Sequence, residues 1–560
     1  MHRCRTSPWL ALALLPLLAM TAGAQEWLNI RLNQDATTQL QNEEQIALNP
    51  IDPDNRVAVW RDFRLGYRQV GWGYTFDAGA TWHEGGLFVE THYPWQSDPG
   101  VTTDALGNFY AIVLSFTSTD QPNGFYVYKS TDGGVSWGPP MEVVNQTPGV
   151  FEDKEFIACD RTPGAYRGNL YVCWTRFGFN TDIVMRRSTT GGMSWGSTTT
   201  VSDQSSVQFP IPVVGRTGEL YIAWTSYASN TIRIDRSTNG GVSFGTDRTV
   251  ASVYTPSTIL NGNIDAYSSP HMDADVTTGP YGGRLYVAFM DRRNSLPDFD
   301  IWVTSSDNGG TSWSTPVRIN DDAPGNGRDQ FFPWLTVDNQ GIVTVVFLDR
   351  RHDPQNRTYH CYLTQSTDGG THWLANQRIS TEPSDPWNAF GGPPPATDPV
   401  DAYPGAPGGH AAAPARITAS RAGLLGEYIG VAAWNGVATP VWTDIRNLNQ
   451  DVYAGYWESG QSVGDDAQAP YGELRLAARP NPAIAGQTIT LWAQDAGGAA
   501  ARAPLWILDA SGRLVRTIPG AEGATWNGRG ADGRLLAPGV YFLRLPDGAS
   551  RPLGTLVLLR

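Results

Sequence analysis

Ser130-Thr131-Asp132-Gly133-Gly134-Val135-Ser136-Trp137 is one of six copies of a short pattern that decides the fold. In this pattern Asp or Asn accepts backbone N–H bonds, Gly takes a positive φ, and the final aromatic ring fills the space beneath the turn. The other copies, with small variations, begin at Thr75, Ser188, Ser237, Ser306 and Ser366. The pattern therefore predicts six tight hairpin turns spread along the chain.

A second repeat, an apolar strand that ends near an aromatic residue, occurs seven times. Its copies lie at 57–60, 110–113, 171–174, 221–224, 286–289, 345–347 and 440–442. The last repeat stops after a third strand at 451–456, and the segment 29–33 reads like a fourth strand. A ring closed by its own N-terminal strand reconciles seven strands with six turns and leaves no open edge. The prediction is an all-β, seven-bladed propeller, with six blades as the alternative count.

Four regions follow from composition along the chain. Residues 1–24 form an export signal, with Arg3 and Arg5, an apolar run, and the small-residue cleavage site Ala22-Gly23-Ala24. Residues 25–458 form the propeller, 459–470 a polar linker, and 471–560 a small antiparallel, Ig-like β-sandwich. The mature protein is therefore expected to be secreted or at the cell surface, with no transmembrane segment.

Charge and cysteine content narrow the possible partners and cofactors. The formal net charge of −14 argues against nucleic acid and anionic membranes as partners. Cys159 and Cys173 lie on consecutive predicted strands, where they can form a disulfide or stay free, and Cys361 is left over. No cofactor is expected, although the acidic turns 52–55 and 320–322 have the oxygen ligands that suit calcium.

Charged residues recur where the innermost strands begin and where the second strands end. In a propeller these positions share one face, so polar groups from many blades surround an axial pocket. The strand starts include Glu43-Glu44, Asp98, Asp153-Lys154-Glu155 and Glu427-Tyr428. The second strands end in Asp-x-Arg, giving Arg64, Arg293, Arg351 and Arg446. Salt bridges between blades are the alternative explanation for this repeated Asp-x-Arg.

The six turns resemble Asp boxes, also called BNR repeats, and residues 26–458 resemble a sialidase-type propeller. The C-terminal residues resemble an Ig-like FlgD or secretion-sorting domain through Arg479-Pro480-Asn481-Pro482 and Pro538-Gly539-Val540-Tyr541. That second resemblance implies export or surface attachment by a dedicated secretion system. A stabilising β-module without a sorting role is the alternative.

The resemblance to sialidases implies roles for particular residues. The four Asp-x-Arg arginines would bind the carboxylate of the substrate, because a guanidinium group binds a carboxylate through two parallel hydrogen bonds. Glu427 and Tyr428 would form the nucleophile pair, although neighbours on one strand point to opposite faces. Asp98 would be the acid/base, and Trp95 and Trp387 would stack on sugar rings. The Phe/Tyr-Arg-Ile-Pro segment that is typical of sialidases is absent from this sequence.

The sequence thus predicts a secreted, glycan-acting protein, a sialidase-like glycoside hydrolase that releases terminal acidic sugars. Two alternatives stay open: a non-catalytic propeller that binds glycans or proteins at the cell surface, and a polysaccharide lyase acting on uronates. The Pro-, Gly- and Ala-rich segment 382–422 is predicted to be a lid over the pocket, with disorder as its alternative.

Overall fold

The computed structural model describes residues 29–458, except 90, 118–121, 146, 148, 263, 294–297 and 387–424. Beyond these it describes 475–479, 483–484, 487–494, 505–508, 514–518, 524–530, 534–544 and 554–559. The chain divides into two compact units, residues 1–461 and 462–560. The predicted export signal, the linker 459–470 and most of the segment 382–422 lie outside the described residues.

Six blades follow one another along the chain, each an antiparallel sheet of four strands. After β1 (Ile30–Arg31), blade 1 has β2 (Gln41–Asn49), β3 (Asp52–Asp62), β4 (Gln69–Thr75) and β5 (His83–Leu87). Blade 2 has β6 (Trp95–Thr103), β7 (Phe109–Phe116), β8 (Asn123–Ser130) and β9 (Met141–Asn145). Blade 3 has β10 (Phe151–Cys159), β11 (Leu170–Phe177), β12 (Thr181–Ser188) and β13 (Thr199–Thr200).

The later blades repeat this order, with one additional hairpin. Blade 4 has β14 (Val207–Val214), β15 (Leu220–Ser226), β16 (Thr231–Ser237) and β17 (Arg248–Ser252). The hairpin β18 (Ser257–Leu260) and β19 (Ile264–Tyr267) follows. Blade 5 has β20 (His271–Ala274), β21 (Leu285–Asp291), β22 (Asp300–Ser306) and β23 (Val317–Arg318). Blade 6 has β24 (Gln330–Val337), β25 (Val343–Asp349), β26 (His360–Ser366) and β27 (Gln377–Arg378).

Blade 7 joins the two ends of the propeller sequence. Its strands are β28 (Gly430–Trp434), β29 (Val437–Asp444), β30 (Asp451–Ala454) and the N-terminal β1, while β31 (Trp457–Glu458) pairs with the start of β29. Ile30 of β1 pairs with Ala454 of β30, and Arg31 pairs with Tyr453. The predicted seven-bladed ring closed by the N-terminal strand is confirmed, and the six-bladed alternative is wrong.

The six repeated turns connect the third and fourth strands of blades 1 to 6. In blade 2 the Ser130 hydroxyl accepts the N–H of Gly134 at 2.9 Å, and Asp132 accepts the N–H of Ser136 at 3.0 Å. Gly134 has φ of 89°, a conformation that glycine adopts without the penalty other residues carry. The repeated sequence therefore specifies each turn locally.

The core lies between neighbouring blades, and tryptophans near the ends of second strands fill much of it. Trp60, Trp174, Trp224 and Trp442 are among the largest fully buried side chains. The aromatic residues that reveal the second-strand repeat in the sequence are thus the residues that pack one blade against the next.

The cysteines of blade 3 do not form a disulfide. Cys159 pairs in register with Leu170, whereas Cys173 pairs with Phe156, so the two thiols are offset by three residues on adjacent strands. Cys159, Cys173 and Cys361 are all buried free thiols. Of the two outcomes that the sequence left open for Cys159 and Cys173, the structure shows the free one.

The described residues of the second unit form two sheets. One has β32 (Arg475–Arg479), β34 (Ile489–Gln494) and β37 (Ala524–Trp526). The other has β33 (Ala483–Ile484), β35 (Leu505–Leu508), β36 (Leu514–Ile518), β38 (Gly539–Arg544) and β39 (Gly554–Leu559). The pairing of β33 with β39 is parallel, so the expectation of a purely antiparallel domain is wrong at that edge. No helix that is long and apolar enough to cross a membrane occurs in the described part of the chain.

Candidate functional site

Five innermost strands carry the same irregularity close to their first residues. A β-bulge interrupts β2, β6, β10, β14 and β24, and a non-glycine residue in each bulge has a left-handed backbone. These residues are Glu43 (φ 59°), Asp98 (49°), Lys154 (56°), Phe209 (61°) and Phe332 (50°). Such backbones cost about 1–3 kcal/mol each, and bulges re-aim side chains. Adjacent blades 1, 2 and 3 therefore present Glu43, Asp98 and Lys154 from equivalent positions.

Five charged side chains form what we call the axial cluster: Glu43, Arg61, Asp98, Lys154 and Glu427. The Lys154 ammonium lies 2.8 Å from the carboxylate of Asp98 and also pairs with Glu427. The Arg61 guanidinium lies 2.9 Å from Glu43, and the backbone N–H of Asp98 donates to Glu43 at 3.3 Å. None of the five side chains is more than 8% exposed. Blades 1, 2, 3 and 7 thus meet in one buried ionic network.

The two carboxyls contributed by blades 1 and 2 have opposite pKa shifts. Burial raises the pKa of Glu43 to about 8, and the negative charge of Asp98 raises it further. The positive charge of Arg61 lowers this pKa, but its effect is smaller than that of burial. Burial also opposes ionisation of Asp98, but the charges of Lys154 and Arg61 prevail and hold its pKa below the usual range. The two shifts therefore favour the protonated form of Glu43 and the ionised form of Asp98.

More carboxyls with raised pKa values surround the axial cluster. Burial raises the pKa of Glu44 to about 8 and that of Asp153 to about 7, and it raises the pKa of Glu155 well above its usual value. Glu44 accepts a hydrogen bond from the Thr443 hydroxyl at 2.7 Å, so its side chain contacts blade 7. Several carboxyls on this face are thus neutral near pH 7.

These shifts predict that the propeller loses stability as the pH rises. An unfolded chain releases these protons near pH 4, whereas the folded chain keeps them to about pH 7–8, so the folded state binds more protons in between. The free energy of unfolding should therefore fall by about 1.4 kcal/mol per pH unit for each such carboxyl. The opposite contribution of Asp98 is confined to pH values below about 4.

Denaturant titrations between about pH 5 and pH 8 measure this slope. Glu44→Gln should reduce it, because the variant has one fewer carboxyl that is protonated only in the folded state. The exposed Glu142 offers the matched control, and Glu142→Gln should leave the slope unchanged. A slope that is equal in all three proteins would contradict the assigned protonation of Glu44.

Aromatic side chains border the axial cluster, and we call Phe156, His271, Trp334 and Tyr428 the aromatic partition. The Tyr428 ring lies 5.5 Å from Phe156 and 6.2 Å from Trp334, and the His271 ring lies 4.4 Å from Trp334. Burial and the charge of Glu43 raise the pKa of Tyr428 well above its usual value. A phenol that is so difficult to deprotonate is poorly suited to the role of nucleophile that the sequence suggested.

The four Asp-x-Arg arginines lie within their own blades. Each binds the aspartate two residues before it, with N–O distances of 2.6 to 2.9 Å at Arg64, Arg293, Arg351 and Arg446. In blade 7 Asp444 also accepts the indole N–H of Trp442 at 2.9 Å, and Arg446 lies over the ring of Tyr453. The structure does not bring these arginines into the axial cluster, and their charges are already matched. We therefore do not assign these arginines a role in binding substrate.

Arg351→Ala is accordingly expected to reduce stability rather than catalysis. Asp349 is fully buried and would lose its ion partner, which typically costs about 3–5 kcal/mol. Denaturant midpoints and kcat/KM for the same preparation distinguish the two effects. A large loss of kcat/KM with unchanged stability would restore the substrate-binding role.

Of the two tryptophans that were expected to stack on sugars, the structure describes Trp95. Trp95 begins β6, three residues before Asp98, and is half-buried. Its ring is nearly parallel to that of Tyr67, with centroids 6.4 Å apart and an interplanar angle of 22°. Trp387 lies outside the described residues. Trp95 and Tyr67 together form an aromatic pair at the start of the strand that carries Asp98.

Arginines occupy one of the two acidic turns that suggested calcium, the turn at 320–322. The Asp321 carboxylate lies 2.5 Å from Arg351, and Asp322 lies 2.8 Å from Arg318. Within the described ranges, no group of three or more His, Cys, Asp or Glu side chains has a geometry that would hold a metal ion. Nothing in these turns supports the calcium alternative.

A cavity of about 610 Å³ lies along the innermost strands of the propeller. It is lined by the later residues of innermost strands from all seven blades. Phe156 and Trp334 of the aromatic partition line it, but none of the five axial-cluster residues does. The aromatic partition therefore contacts the cavity on one side and the charged residues on the other.

No protein-family model and no curated protein matches the sequence. Among solved structures, a leech intramolecular trans-sialidase is 11% identical, with 65% of this chain and 70% of that chain covered and a TM-score of 0.42. A Penicillium chrysogenum α-L-arabinanase is 13% identical, with 64% and 92% covered and a TM-score of 0.37. A protein of unknown function from Dyadobacter fermentans is 12% identical, with 57% and 93% covered and a TM-score of 0.40. At these scores the similarities carry no argument about activity.

Proposed function

We propose that the protein is a glycoside hydrolase whose reaction takes place at the axial cluster. The observation that carries this proposal is the meeting of two buried carboxyls from adjacent blades: the backbone N–H of Asp98 donates to Glu43 at 3.3 Å, and the Lys154 ammonium lies 2.8 Å from the Asp98 carboxylate. The opposite directions of their pKa shifts support it. Hydrolysis of a glycosidic bond uses one protonated carboxylic acid and one ionised carboxylate. The axial cluster holds both forms at neutral pH.

In this proposal Glu43 is the general acid and donates its proton to the glycosidic oxygen as the bond from that oxygen to the sugar carbon breaks. The ionised Asp98 stabilises the positive charge that develops on the sugar ring. The oxygen of a water molecule then bonds to the sugar carbon, and the proton that this water loses returns to Glu43. Lys154 is a positioning residue, since its ammonium keeps Asp98 ionised and fixes the carboxylate at 2.8 Å. This assignment replaces the acid/base role that the sequence suggested for Asp98.

The charges of the axial cluster favour a neutral sugar. Lys154 lies between the carboxylates of Asp98 and Glu427, and the Arg61 guanidinium is held by the Glu43 carboxyl at 2.9 Å and by the side-chain oxygen of Asn42 at 2.8 Å. An acidic sugar would have to compete with these carboxylates for cations, or draw an arginine away from its own aspartate. We therefore propose neutral glycans, with the aromatic pair of Trp95 and Tyr67 as a stacking surface, in place of the sialidase-like specificity.

A panel of chromogenic glycosides tests the reaction and its specificity together. We expect release from neutral glycosides and weaker or no release from sialosides and uronosides. Release from sialosides alone would support the specificity suggested by the sequence, and an unsaturated, ultraviolet-absorbing product from uronates would indicate a lyase. No turnover of any substrate would remove the enzymatic proposal.

The burial of the axial cluster favours one alternative, a non-catalytic propeller whose ionic network is structural. Its carboxylates and ammonium are at most 8% exposed, which restricts the access of a substrate. This alternative predicts binding on a glycan array without turnover, with affinities that Glu43→Gln does not change.

We also infer that the protein is exported, on the basis of the basic, apolar and small-residue segments of residues 1–24. The resemblance of residues 471–560 to a sorting domain supports export or attachment to the cell surface. Fractionating cells that express the full chain or a chain ending at residue 470 tests both points. Retention of the full chain in the cytoplasm would contradict export, and equal export of both chains would contradict sorting.

A further inference from the structure

Apolar side chains of the innermost strands make up much of the wall of the channel cavity. Strand residues such as Ile46, Ile211 and Val431 line it, and the rings of Phe156 and Trp334, 5.7 Å apart, lie at the aromatic partition. The volume of about 610 Å³ falls in the range of small-molecule binding sites. This wall favours an apolar ligand body.

Two arginines line the cavity at equivalent positions in adjacent blades. Arg161 follows the end of β10 by two residues, and Arg216 follows the end of β14 by two residues. Both side chains are exposed, and Arg161 donates a 3.4 Å hydrogen bond to the Thr103 hydroxyl. Within the described part of the chain neither guanidinium forms an ion pair. Most of their donors are therefore available to a ligand.

The carboxylates that line the same cavity are already engaged. Asp273 accepts the backbone N–H of Ala274 and that of Val337, each at 2.8 Å. Asp338 accepts the N–H of Ile342 at 2.9 Å and that of Gly436 at 2.6 Å. These bonds fix the two carboxylates in the wall, whereas the exposed guanidinium groups of Arg161 and Arg216 keep donors that a ligand can reach.

We propose that the channel cavity binds an amphipathic anion. The apolar body of the ligand occupies the cavity up to Phe156 and Trp334, and its carboxylate, sulfate or phosphate head is held by Arg161 and Arg216. Guanidinium groups suit such heads because they donate two parallel hydrogen bonds. The site is separated from the axial cluster by the aromatic partition, so it does not depend on the proposed glycosidase activity.

Calorimetric titration of the full chain with decanoate, hexanoate and decanol tests the proposal. Decanoate should bind about 100-fold more tightly than hexanoate, since four further CH₂ groups are buried. It should bind about 10- to 100-fold more tightly than decanol, which lacks the charged head. Equal affinities for decanoate and decanol, or no binding of decanoate, would overturn the proposal.

Three variants test the position of the site. The double variant Arg161→Gln with Arg216→Gln should reduce decanoate affinity to that of decanol. Arg167→Gln removes an exposed arginine from the same hairpin as Arg161 and should leave the affinity unchanged. Val213→Trp should block binding by filling the cavity, and a thermal melt checks its fold. Decanoate binding that is unaffected by the arginine double variant would refute the site even if Val213→Trp fails to fold.

Discussion

Glu43→Gln is expected to lower kcat/KM for the hydrolysed glycoside by about 10²–10⁴-fold, the usual contribution of a general acid. The amide keeps a carbonyl that can accept the hydrogen bond from Arg61, but it has no acidic proton to transfer. The wild-type rate should fall above about pH 8, where Glu43 loses its proton, and the variant should lack this decline. Steady-state rates measured between about pH 5 and pH 10 test both effects.

Glu44→Gln is the matched control for that experiment. Glu44 is the next residue, equally buried, and its pKa is raised to the same value of about 8. Its carboxylate accepts a hydrogen bond from Thr443 and is not part of the axial cluster. Its variant should keep the wild-type kcat/KM. Equal losses in both variants would indicate a structural effect of the bulge, and no loss in Glu43→Gln would rule out its role as the acid.

Leu32→Ala is expected to lower the free energy of unfolding by about 2–5 kcal/mol. Leu32 follows β1 directly, is fully buried, and packs in one cluster with Trp60 of blade 1 and Val441 of blade 7. Its backbone N–H also donates to Val452 at 2.8 Å. Because β1 has only two residues, much of the closure depends on this side chain. Denaturant unfolding of the full chain provides the measurement.

Thr38→Ala is the control for ring closure, since Thr38 is exposed on the same N-terminal segment. A surface change of this kind should alter stability by no more than about 0.5 kcal/mol. If Leu32→Ala were no more destabilising than Thr38→Ala, closure of the propeller would not depend on the N-terminal strand.

The fold was predictable because its signals are local and repeated. Each turn is specified by a few residues, as Ser130, Asp132 and Gly134 show, and each second strand carries its own aromatic residue. The second-strand repeat occurs seven times and the turn only six times. This difference indicated that the first strand completes the last blade. The register of adjacent strands is not encoded so simply. Cys159 and Cys173 lie on paired strands, yet an offset of three residues separates them.

The site was less predictable, because it depends on bulges and on competition between ion partners. Sequence spacing does not reveal that Glu43, Asp98 and Lys154 share a left-handed bulge position, so Glu43 and Lys154 received no role. Sequence also does not show whether an arginine faces the axis or the aspartate two residues before it. For Arg64 and its counterparts the nearby aspartate prevails, since an ion pair within one loop requires little ordering of the chain.

The central claim is that Glu43 is protonated at neutral pH while Asp98 is ionised. Carbon-13 NMR of carboxyl-labelled glutamate and aspartate, assigned with Glu43→Gln and Asp98→Asn, measures both titrations directly. We predict a midpoint of about 8 for Glu43 and a midpoint below the usual aspartate range for Asp98. A Glu43 carboxyl that titrates near the ordinary glutamate value, about 4.3, would contradict the account.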